Sequence, residues 1–175
     1  GLVGSEMCIR DRLSLSAVTW DNYRAQVDTG GPLNEAGTIR GRAVATQQSR
    51  HYFYDVAERN DQIYYGAVDF DLSADTTFGL GVAYEDLDAT PCWGGMPRYA
   101  DGSDLKLSRS TCLNPAWNNQ RSKRTTLFGD LKHQLNDNWV LKVAGVWSRN
   151  TQDMEYAFPS GSVPVSYTHL RAHET

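Results

Sequence analysis

The sequence predicts an all-β, antiparallel fold of the transmembrane-barrel type, and three observations predict it. Hydrophobic residues recur with period two through most of residues 13–152, with no sustained helical stripe. The segments between these runs alternate between short and long, as in barrels with tight periplasmic turns and long outer loops. Aromatic side chains gather toward the ends of the runs, where rings mark the two edges of a hydrocarbon layer. An up-and-down meander of about six strands follows from this pattern.

The runs can be taken in order. Residues 13–28 form one strand broken near Trp20 and Asp21, resuming with Tyr23, Ala25 and Val27 against Arg24, Gln26 and Asp28. Residues 38–48 set Ile39, Gly41, Ala43 and Ala45 against Arg40 and Arg42. In 62–72, Tyr64, Gly66, Val68, Phe70 and Leu72 oppose Tyr65, Ala67, Asp69 and Asp71, so the polar face carries charge. In 76–86, Phe78, Leu80, Val82 and Tyr84 oppose Thr77, Gly79, Gly81, Ala83 and Glu85. Leu127, Gly129 and Leu131 then oppose Thr126, Phe128, Asp130 and Lys132, and Trp139, Leu141, Val143, Gly145 and Trp147 oppose Val140, Lys142, Ala144, Val146 and Ser148. Runs of about ten residues suit tilted strands crossing hydrocarbon. The turns at 73–75 and 136–138 are rich in Asn, Asp and Ser, which bond readily to nearby backbone. Segments 49–61 and 87–123 are the long connections. A soluble sandwich shares the alternation, with its apolar face on a second sheet. Loop asymmetry and the aromatic belts favour the barrel.

Composition excludes several functions. The formal net charge of −4 offers neither a nucleic-acid-binding surplus nor a polybasic membrane patch. Ser residues form no nucleophile motif with His51 or His133, and no glycine-rich phosphate cradle precedes a helix, so no enzyme is expected. Cys92 and Cys112 lack a nearby native His to complete a four-ligand zinc set, so no metal site or cofactor is expected.

Both termini read as translated synthetic DNA. Reverse-complementing a plausible coding DNA for residues 165–175 gives the sequence of residues 2–11, so 1–12 and 165–175 are expected to be adapter-derived and foreign to the fold. Residues 13–164 are then expected to be part of a barrel domain. Setting the termini aside leaves two cysteines, both in segment 87–123. A disulfide between Cys92 and Cys112 is expected in an oxidising compartment, a reduced pair being the alternative.

Residues 20–45, WDNYRAQVDTGGPLNEAGTIRGRAVA, resemble the first barrel hairpin of TonB-dependent ferric-siderophore receptors. The resemblance continues through Tyr64-Tyr-Gly-Ala-Val-Asp-Phe-Asp-Leu-Ser-Ala-Asp-Thr76, Trp93-Gly-Gly-Met-Pro97, Tyr99, 101–103, Trp117, 127–133 and Asn138-Trp139. It covers nearly all of 13–150 and is nearest the ferric-pyoverdine and ferric-hydroxamate group. The resemblance implies a parent barrel of about twenty-two strands around an N-terminal plug. It also implies import of a ferric siderophore across the bacterial outer membrane, driven through TonB, ExbB and ExbD. Iron arrives already chelated, so no protein ligand to iron is required. A passive porin or other outer-membrane barrel, or a TonB-dependent receptor for cobalamin or a glycan, remain alternatives.

Trp93, Tyr99 and Trp117, with Arg98 and Arg109, form an aromatic and cationic set in the long segment 87–123. Rings give rigid contact area, and Arg pairs with carboxylate or hydroxamate oxygens. The resemblance implies an aromatic pocket for the chelate at the outer mouth; the alternative is that these rings pack the loop against itself. His51-Tyr-Phe-Tyr54 is a second, weaker candidate. Arg40, Arg42, Asp69, Asp71, Asp130 and Lys132 fall on the lumen face, where the resemblance implies contacts to the plug.

Overall fold

The computed structural model describes residues 11–164. It is a single antiparallel sheet in which every strand pairs with its sequence neighbour: β1 (Arg12–Val18), β2 (Asn22–Pro32), β3 (Ile39–His51), β4 (Glu58–Ser73), β5 (Thr76–Thr90), β6 (Asn119–Asn136) and β7 (Trp139–Glu155). There is no helix among the described residues. Of the expected foreign termini, only Asp11 and Arg12 fall within the described residues; Arg12 opens β1 opposite Asp28.

The meander has seven strands where alternation predicted about six. The expected break at Trp20 and Asp21 is a complete chain reversal, closed by the pairing of Val18 with Asn22. Both residues take left-handed backbone, at φ 61° and 48°. A hairpin whose strands twist in the right-handed sense needs such residues at its tip and usually recruits Asn or Gly there. Trp20 carries no such signal.

Alternate connections lie at opposite ends of the sheet. At one end are 33–38, 74–75 and 137–138. Asn34 builds the first of these, donating to Thr38 Oγ1 (2.7 Å) and accepting from the Ile39 amide (3.0 Å), with Gly37 left-handed at φ 68°. At the other end are 19–21, 52–57 and 91–118. The expected long loop at 49–61 is therefore a short turn, because β3 and β4 run on to His51 and Glu58. Only 91–118 remains long, shortened at both ends from the expected 87–123 because β5 runs on to Thr90 and β6 begins at Asn119. Among the described residues, the non-glycine positions with positive φ are Trp20, Asp21, Val56 and Lys106, and all four lie at this second end.

The register sorts the two faces. Ile39, Phe70, Phe78, Leu131 and Val143 lie in one transverse row, and Tyr64, Tyr84 and Thr125 in another on the same face. Phe70 stacks with Phe78, and Tyr64 with Tyr84, each at 6.4 Å. Between these belts lie Val68, Leu80, Val82, Leu127 and Trp147, several of them large and exposed. An apolar face with nothing to cover it in water is the lipid-facing surface of a barrel. Beyond Tyr64 and Tyr84 that face turns polar, with Asp86 opposite Lys123 and Asp88 opposite Arg121. The strands thus continue past the membrane boundary, which is why they exceed the predicted ten residues.

The opposite face is the lumen side. Arg42 grips Asp28 through Nε (2.9 Å) and NH2 (2.7 Å), and Arg40 pairs with Asp71, one of the contacts measuring 2.7 Å. Asp69 and Asp130 flank Gly79, where a Cβ would meet their carboxylate oxygens at 2.9 and 2.7 Å. Lys132 faces Lys142 and Thr77. The Phe128 ring lies over Gly81, occupying the space where a Cβ would be, and stacks on Tyr65 at 5.7 Å. Of the six charges expected to meet a plug, Arg40, Arg42 and Asp71 are thus already paired within the wall.

Candidate functional site: the outer mouth

The outer ends of β5 and β6 carry opposite charge in register. Glu85 faces Arg124, Asp86 faces Lys123 and Asp88 faces Arg121, with N–O separations of 3.8, 3.5 and 3.2 Å. Each exposed pair contributes little alone. Together they favour a single register where the connecting loop is too long to set one.

That loop is tied at several places. A disulfide joins Cys92 and Cys112, with the Cα atoms 6.2 Å apart. Asn118, the most enclosed large side chain among the described residues, accepts from the Ala157 amide and donates to its carbonyl, both at 2.9 Å. Asn114 Nδ2 donates to the Trp93 carbonyl (2.8 Å) and to Tyr156 Oη (3.0 Å), while that hydroxyl donates to the same carbonyl. The segment after β7 therefore closes over the loop, with Tyr156 against Trp93 at 5.4 Å and Phe158 against Tyr156 at 5.6 Å. Farther along, Tyr99 forms a parallel bridge with Val163. Nothing in 156–163 alternates, so sequence periodicity did not reveal this strap.

The predicted ligand-binding residues divide on this scaffold. Trp93 is half-exposed but engaged by Tyr156. Trp117 is 58% exposed and stacks on no ring among the described residues. Tyr99 is held by backbone bonds to Ser103 (3.1 Å) and from Gly102 (2.9 Å), and Arg98 donates to the Gly102 carbonyl (3.2 Å). Asp101 closes the same turn by accepting from the Ser103 amide (2.9 Å) and hydroxyl (2.6 Å), which hold its carboxyl below the usual carboxylate range. Arg109 is exposed and makes no side-chain bond among the described residues. The loop thus presents Trp117 and Arg109 outward, while Arg98, Tyr99 and Trp93 take part in its internal structure.

The second candidate, 51–54, proves more organised than expected. Tyr52 and Tyr54 stack at 5.2 Å, Phe53 meets Tyr54 edge-on at 4.9 Å, and Trp20 reaches Phe53 at 6.3 Å from the neighbouring hairpin. Burial, and then the neighbouring Tyr52, pushes the Tyr54 phenol above its ordinary value. The Asp55 amide donates to the Ser110 carbonyl (2.7 Å), which docks this turn on the long loop. The hairpin contact was not legible, because it depends on the reversal at Trp20.

An antiparallel wall with a lipid-facing apolar belt, a charged lumen face and a stapled outer loop is part of an outer-membrane β-barrel. No family model matches the chain. It is 80% identical over 157 residues to the ferric-pyoverdine M114 receptor PbuA of Pseudomonas sp. strain M114, covering 90% of this chain and 19% of that protein. It is 39% identical over 137 residues to the ferripyoverdine receptor of Pseudomonas aeruginosa, covering 77% of this chain and 17% of that one. The crystal structure of the ferripyoverdine receptor of the Pseudomonas aeruginosa outer membrane, bound to ferripyoverdine, superposes with a TM-score of 0.84 at 34% identity, over 92% of this chain and 22% of that one. The chain is homologous to part of the ferric-pyoverdine receptors of the Pseudomonas outer membrane. It spans about a fifth of the length of the curated relatives it matches.

Proposed function

We propose that this sheet serves in a complete outer-membrane receptor that binds a ferric pyoverdine outside the cell and imports it with energy supplied through TonB, ExbB and ExbD. The observation that carries this reading is the 80% identity to a ferric-pyoverdine receptor across 90% of the chain, loop 91–118 included. The mouth contributes rigid aromatic surface, with Trp117 and the half-exposed Trp93 as contacts to the chelate. Arg109 supplies a charged donor suited to its oxygens. Arg98 and Tyr99 shape the loop that carries these groups. On the lumen face, Asp69, Asp130 and Lys132 are the charges available to a plug.

The test is complementation. A full-length receptor carrying this segment is expressed in a Pseudomonas strain lacking its own ferripyoverdine receptors, and uptake of radioactive iron from ferric pyoverdines is followed with and without functional TonB. Uptake that depends on both receptor and TonB supports the proposal. Uptake of no ferric pyoverdine by a correctly assembled receptor overturns it.

A further inference from the structure

Arg50 and Arg59 face one another in register across β3 and β4, on the lumen side and next to turn 52–57. Like charges directly opposed in an antiparallel pair destabilise it. Arg59 is relieved: its Nε donates to Asp61 at 2.9 and 2.8 Å, and its NH2 lies 2.8 Å from the same carboxylate. Arg50 makes no ion pair among the described residues. Its guanidinium lies 5.4 Å from the Tyr52 ring centroid, and its Nε is buried with no hydrogen-bond partner. Tyr52 is itself braced against Tyr54. A buried donor on a charged group without an acceptor costs more than a neutral one. Only Nε is enclosed: the terminal nitrogens of Arg50 make no hydrogen bond among the described residues and stay accessible at the open end of the lumen, where an anion can reach them.

We propose that Arg50 is a binding residue for a carboxylate group borne by the incoming ligand. The site is separate from the tryptophans of loop 91–118. A guanidinium matches a carboxylate through paired N–H donors, and an Arg already placed by an aromatic ring loses less freedom on gripping it. Binding there would also offset the repulsion from Arg59. The aromatic cluster of Tyr52, Phe53, Tyr54 and Trp20 forms the adjacent wall. This inference rests on the import reading above, and its test separates the two.

The experiment uses the full-length receptor in outer membranes and two probes: a ferric pyoverdine carrying a free carboxylate, and the same chelate with that group converted to a methyl amide. The intact receptor is expected to bind the acid about tenfold more tightly than the amide, the scale of one hydrogen-bonded charge pair, and the ratio should shrink with salt. Arg50→Gln should erase the ratio by weakening the acid alone, and Arg50→Lys should retain part of it. Equal binding of both probes by the intact receptor overturns the proposal, as does an Arg50→Gln variant that weakens both alike. Should Arg50→Gln fail to assemble, Arg50→Lys takes its place: an acid-to-amide ratio reduced from that of the intact receptor supports the proposal, and an unchanged ratio overturns it. Failure of the intact receptor to bind either probe counts against the import reading instead.

Discussion

Tyr64 and Tyr84 stack across the β4–β5 pair, and one row farther out on the same face Asp86 meets Lys123 across β5–β6. Two residues of strand separate an aromatic belt from an ion pair. That step places the outer edge of the hydrocarbon, since a lipid-facing charge becomes tolerable only near the interface.

The boundary can be probed with arginine. Leu80→Arg, between the two belts, should cost about 2–4 kcal/mol of barrel stability, whereas a change at the belt's outer side should cost about 0–1 kcal/mol. Gln62→Arg supplies that comparison. Folding into lipid vesicles, followed by gel mobility against denaturant, measures both. Equal costs would remove the membrane placement argued from the belts.

Charge order across β5 and β6 should be exchangeable as a set but not singly. Reversing Asp86 and Asp88 to Lys puts like charges opposite Lys123 and Arg121 and should lower stability by roughly 1 kcal/mol. Adding Lys123→Asp and Arg121→Asp should restore it. Denaturant midpoints of the full-length receptor read out the double-mutant cycle.

Replacing Cys92 and Cys112 with Ser should free the loop without unmaking the barrel. Closing a loop of this size removes about 3 kcal/mol of chain entropy from the open state. Trypsin should then cut more readily after Lys106 and Arg109, while heat-modifiable mobility stays unchanged. Unchanged cleavage would show that the Asn118 and Tyr156 contacts hold the loop unaided.

The two tryptophans should behave differently. Trp117→Ala should weaken ferric-pyoverdine binding by roughly 1–3 kcal/mol with the loop intact, as for loss of an aromatic anchor. Trp93→Ala should weaken binding and also raise protease sensitivity near Tyr156, because it removes a ring that the strap packs on. Binding unaltered in both variants would move recognition to other parts of the receptor.

The Asp101 turn should loosen only below the usual carboxylate range. Its carboxyl is held below the usual range, first by the Ser103 hydroxyl and then by the Ser103 amide. Because the folded value is depressed, the stabilisation is complete above the unfolded carboxylate range and is lost as pH falls through the lower folded value. Amide exchange at Ser103 against pH should show that loss, and Asp101→Asn should flatten it.

Much of the wall was legible because each strand meets two different media. Period two over Phe78 to Tyr84 reports lipid on one side and lumen on the other, and the structure places those residues in one row set. The break at Trp20 and Asp21 was legible but its completeness as a reversal was not, because Trp20 does not advertise the left-handed backbone it takes. Lumen alternation identified the face of Arg40 and Asp71 without showing that they satisfy one another, since cross-strand pairing depends on register. The acidic end of β5 and the basic end of β6 were visible as residues, and their matching became informative only once the strands were aligned. The grip of Tyr156 on Trp93 joins irregular segments far apart in sequence, for which no periodic signal exists.

The Phe128 ring, lying where a side chain on Gly81 would have to be, makes these two positions a single unit of inheritance. An alanine at 81 would drive the ring off the wall and into the interior of the barrel, shrinking the space that must admit other parts of the receptor. A smaller residue at 128 would instead leave bare backbone and a hollow beside Tyr65. Lineages diverging from this sequence should therefore keep glycine at 81 for as long as they keep an aromatic at 128, and should lose the two together.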